Sequence, residues 1–205
     1  MDIAQEALDK LSAAGFAFRG VMDTRGDLPP VNVASFVSNL GPESGRRGFL
    51  LAHGEEDLGT RFNQEWERLA RDRGLFSTGA DGRPEFLVGV DIAQDDSGES
   101  ELQSWRWVRV ALADHWDIAG AGCENRILGA GANNPAFIMM SPDADVLVQG
   151  GYWQDGIGAT AVSEPNRFRE LRDHARRIAF EFDWLEPEVR QWAERWLAQV
   201  TGEEA

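Results

Sequence analysis

The chain is 205 residues long, carries a formal net charge of −15 and has a single cysteine, Cys123. A chain of this length buries roughly 70% of its unfolded surface, so it needs neither a structural metal nor a disulfide framework, and one cysteine excludes the latter. The acidity argues against nucleic-acid backbones and anionic membranes as partners, and no apolar run approaches the roughly twenty residues that span a bilayer.

The start, MDIAQEALDKL, is amphipathic and acidic where a secretory signal needs a basic start and an apolar core. With the lone cysteine, this gives the expectation of a cytoplasmic protein. Ile3, Ala7, Leu8 and Leu11 share one face of a helix over 2–14, with Asp2 as its cap and Gly15 as its stop. Residues 16–22 (FAFRGVM) read as a strand, 26–30 as a loop, 31–37 (VNVASFV) as a second strand by alternation, and 49–52 as a third. Leu58, Phe62, Trp66, Leu69 and Arg73 follow the helical period over 56–73. Gly74 is placed to close that helix, and Arg71 and Arg73 suit the negative end of its dipole.

Residues 77–84 read as a loop and 86–92 (FLVGVDI) as a strand. The acidic stretch 94–101 reads as a loop, and 102–112 as a long strand with Trp105 and Trp107 on one face. From 114 to 135 glycines break the pattern, with 126–128 a short strand. Then comes a three-stranded meander over 136–162. Its first turn has Pro142 at the second position of a type I turn, and Asp155-Gly156 forms a type I′ hairpin turn, which needs positive φ at both residues. A helix starting near Ser163, with Pro165 in its first turn, carries the stripe Phe168, Leu171, Ala175, Ile178, Phe182 and Leu185. A last helix from about Pro187 ends at Gly202.

Clustered strands joined by tight turns predict an α+β fold: a mostly antiparallel sheet packed by amphipathic helices, two of them C-terminal. The chain reads as one domain over 1–205. Two lobes, 1–93 and 102–205, would divide near 94–101.

No chemistry-bearing motif stands out. His53, His115 and His174 share no metal-ligand spacing, so no metal and no cofactor are expected. His174 reads as a surface residue paired at helical spacing with Glu170. The stretches GAG (120–122) and GAGANNP (129–135) lack both the GxGxxG spacing and the P-loop lysine, and read as turns. Cys123 with His115, or His53 at a strand end, would carry a hydrolase or transferase whose pocket is lined by the Gly-rich 120–135 segment.

The other reading is a non-catalytic cytoplasmic protein-binding module, such as an adaptor, an immunity-type inhibitor or a chaperone-like protein. Eight tryptophans in an acidic chain support it, because aromatic surfaces mark binding sites. Its surface would comprise Tyr152, Trp153 and Asp155 at the meander's turn, extended by Trp105 and Trp107. An arginine face (Arg169, Arg172, Arg176) stands on the following helix. The partner would be a protein with a basic surface, without nucleic acid or membrane.

Overall fold

The structure is a computed structural model that describes residues 3–23, 27–93 and 104–202. Its centre is one eight-stranded antiparallel sheet. The strands are β1 (Phe16–Val21), β2 (Arg47–Ala52), β3 (Ser77–Thr78), β4 (Pro84–Asp91), β5 (Trp105–Leu112), β6 (Phe137–Met140), β7 (Val146–Tyr152) and β8 (Gly156–Ser163). The spatial order is β1-β5-β4-β6-β7-β8-β2, with the short β3 paired to β4. Strands from the two sides of residues 94–101 are therefore interleaved within one sheet; that acidic stretch itself lies outside the described residues. The α+β class and the meander of β6, β7 and β8 are as the sequence predicts.

Both faces of the central strands β4, β5 and β6 are buried because these strands carry apolar residues on both sides. On one face Phe86, Val88, Val110, Met139 and Val148 pack under α1 (Gln5–Ala13) and α3 (Leu58–Arg73). Phe62 and Trp66 of α3 are fully buried there, and Gly74 ends the helix at φ 78°, in the left-handed conformation expected of it. The opposite face presents Leu87, Trp107, Ile138, Met140 and Leu147 to α2 (Val31–Ala34), α4 (Arg169–Phe180) and α5 (Pro187–Thr201). Leu171, Ala175 and Ile178 of α4 and Trp192 and Trp196 of α5 are the buried side of that second layer.

Several expectations change, the smallest being that the segment 77–84 is not all loop, since Ser77–Thr78 forms β3 on β4. Residues 31–37 form α2 and a 3-10 turn at Ser35–Asn39, not a strand. Val33, Ala34 and Val37 are buried at helical spacing, and the Pro30 carbonyl accepts the Val33 and Ala34 N–H groups. The indoles of Trp107 and Trp192 donate to the Pro29 and Leu28 carbonyls, both at 2.7 Å, and so fix the chain entering α2. Residues 126–128 form no strand either. Arg126 has φ 59°, and the Ile127 and Leu128 N–H groups both turn back to the Gly122 carbonyl.

The turn between β7 and β8 is not type I′, because neither Asp155 nor Gly156 has positive φ. Gly156 is required for another reason: it pairs with Ala52, and a side chain there would run into the Leu51 carbonyl. Finally, α4 runs only from Arg169 to Phe180: Pro165 lies in a separate 3-10 turn, Phe168 precedes the helix, and Phe182 and Leu185 lie in the link to α5 and do not continue its stripe. The first turn of the meander is as predicted, closed by the Ala144 N–H to the Ser141 carbonyl at 2.9 Å.

Candidate functional site

The second helical layer covers β5, β4 and β6 but leaves the C-terminal end of β7 open, and a groove of about 600 Å³ lies there. Its floor is the sheet at Ile138, Gly150 and Gly151. One wall is Tyr152 and Trp153, and the other is His174, Phe182 and Trp184 from α4 and the α4–α5 link. Trp105 closes one end. On the far side of Trp153 a second hollow continues toward β2, past Gln149, Thr160 and Leu50 to Arg46. Trp153 thus lines both the apolar groove and this more polar hollow.

The position of Trp153 follows from its neighbours. β7 ends at Tyr152, so strict strand alternation no longer applies to Trp153, and both aromatics line the same groove. The Trp153 N–H donates to the Gly156 carbonyl, and its own carbonyl takes a 2.8 Å bond from His53 Nε2. Its ring lies against Gly151, where a Cβ would meet it at 2.9 Å. The backbone is held while Trp153 as a whole stays 50% exposed, beside Tyr152 at 49% and Trp184 at 66%. Phe182 and Trp184 stack at 5.7 Å, and the Arg177 guanidinium sits over the Phe182 ring.

His174 is not a surface partner of Glu170. Its ring stacks on Phe36 at 4.3 Å with planes 15° apart, and its Nδ1 is buried without a hydrogen-bond partner. Burial first, and the Arg177 charge second, hold its pKa below the ordinary value, against a smaller opposing effect of the Asn32 backbone.

Of the residues singled out in the sequence, Tyr152, Trp153 and Trp105 come together in the groove, and Asp155 lines the second hollow. Trp107 does not join them; it is fully buried in the second core and serves the chain entering α2. The arginine face also stands apart from the groove. Arg169 and Arg176 both pair with Asp173, and Arg172 donates to the Asn166 carbonyl at 2.8 Å.

Exposed His53 contributes to the site only by pinning Trp153, and exposed His115 lines neither depression. Cys123 is fully buried, its thiol directed at the Leu128 carbonyl. Burial, reinforced by Asp117, pushes that thiol up to about 12, opposite to what a nucleophile needs. Of the segment 120–135, only Pro135 reaches the groove. The segment is organised instead by Asp117, which accepts bonds from Asn63 and from the Gly120 and Ala121 N–H groups. Burial raises that carboxyl's pKa, but these three bonds outweigh it and hold it below the usual range.

Sequence reasoning missed His174, Phe182, Trp184 and Leu50 as parts of this surface. The aromatic density of 180–185 (FEFDWL) was the available signal for Phe182 and Trp184. Among the described residues no group of three potential ligands is placed to hold a metal ion, and no helix is long and apolar enough to cross a membrane. In comparisons with family models, curated proteins and solved structures, the chain matches none.

Proposed function

We propose that this chain is a non-catalytic protein-binding module, acting in the cytoplasm as an adaptor, inhibitor or chaperone-like protein, whose groove takes an apolar segment of a partner. One observation carries the reading. Of the six exposed large apolar side chains among the described residues, Tyr152, Trp153 and Trp184 together line the groove. Exposed apolar side chains scattered singly need no explanation, whereas a rimmed cluster marks a contact surface. Aromatic side chains that are large, stiff and half-exposed supply most of the energy where a partner docks. The net charge of −15 favours a partner segment flanked by lysine or arginine.

The test is to pan a random peptide library against the immobilised chain. Enriched peptides are expected to carry aromatic or long aliphatic anchors beside basic residues. Trp153→Ala and Trp184→Ala each weaken them by about 2 kcal/mol or more, while folding survives. Peptides that bind both variants as well as the parent would move the interface away from the groove.

A further inference from the structure

The sheet has two edge strands of opposite character. The β1 ladder is irregular between Phe18 and Gly20, and Arg19 at that point reaches Asp81 and Glu85. A bulge and a charge network are the usual devices that keep an edge from pairing further. β2 has neither. Its ladder with β8 runs unbroken from Arg47 to Ala52 and contains no proline.

The ladder's phase shows which groups β2 turns outward. The His53 N–H bonds the Asp155 carbonyl one step beyond the Ala52–Gly156 pair. Antiparallel ladders alternate, so Leu51, Phe49 and Arg47 direct their backbone groups at β8, and Ala52, Leu50 and Gly48 direct theirs to the open edge. Ala52 is already served, since its N–H donates to Glu55 Oε1 at 2.9 Å and its carbonyl accepts the Glu55 N–H at 3.4 Å. Gly48 and Leu50 remain, and the Leu50 side chain is 53% exposed.

We infer that this edge pairs with the same edge of a second copy of the chain, antiparallel and centred on Leu50, extending one sheet through both copies. The charges flanking the strand argue for a second copy over another partner. Arg46 and Arg47 precede the apolar run, and Glu56 and Asp57 follow it, beyond Glu55, which is paired with Arg61. A two-fold axis at Leu50 sets the arginines of each copy beside the acidic end of the other, so the edge is complementary to itself. Each Leu50 exchanges backbone bonds with its counterpart. Each Gly48 N–H reaches the second lone pair of the opposing Ala52 carbonyl. The two Leu50 side chains then cover one another.

The experiment is sedimentation equilibrium of the full chain across the micromolar range, with a dimer expected. Leu50→Pro removes the outward donor at an edge position that tolerates proline, and a folded monomer is expected. Arg47→Glu sets like charges together and weakens the dimer by about tenfold or more, and adding Glu56→Arg restores it. A monomer mass at every concentration would overturn the inference. So would a dimer that persists in folded Leu50→Pro. Should Leu50→Pro unfold, as circular dichroism would report, the charge pair decides: an Arg47→Glu dimer as tight as the parent's sinks the inference.

Discussion

The indole of Trp153 rests on Gly151, two residues back along the chain, in the place a side chain at that position would occupy. The far end of the ring makes the contact, so a methyl group at Gly151 displaces the ring and leaves the strand in place. Gly151→Ala is expected to alter tryptophan emission and groove binding while the urea midpoint barely moves. A large fall in stability would show that the backbone, and not the ring, yields.

Gly156 makes the opposite case. Its neighbour is the Leu51 backbone, which is fixed in the ladder between β2 and β8. Gly156→Val should therefore destabilise the protein by about 1–3 kcal/mol, the usual cost of overpacking. Urea unfolding measures it directly, and a midpoint equal to the parent's would contradict the observed pairing of Ala52 with Gly156.

The Cys123 thiol, pushed up to about 12, is protonated throughout the neutral range. Iodoacetamide at pH 7 is expected to leave the native protein unmodified and to label it readily in concentrated urea. Rapid labelling of the native state would favour the enzyme reading instead.

His174 links stability to pH. Its folded pKa is lowered from 6.5, so the unfolded chain binds the proton more readily. The stability contributed by neutral His174 is present above about 6.5 and is lost as pH falls from there toward the folded value. Urea midpoints taken from about pH 7.5 down to about pH 5 should fall more steeply for the parent than for His174→Gln. Parallel profiles would mean that burial of the ring and the Arg177 charge leave its proton affinity unperturbed.

The sequence by itself determined the class of fold and most of its elements. Periodicity places α3 and α5, Gly74 and Gly202 mark their ends, and the apolar runs with Pro142 between them mark the meander, because these signals act through the local backbone. It also pointed to Tyr152, Trp153 and Trp105. Periodicity failed at 31–37, where a short apolar pattern after Pro29 and Pro30 suits a strand or a helix equally and the indoles of Trp107 and Trp192, distant in sequence, settle the outcome.

Only the tertiary structure decided which aromatics are buried. Trp105 and Trp107 share a strand face, yet α2 and α5 cover one and leave the other at the groove's rim. Likewise, β2 reads in sequence like any apolar strand, and its place at the end of the sheet is what leaves Leu50 exposed. Strand order is set by packing between segments far apart in the chain, and no local pattern encodes it.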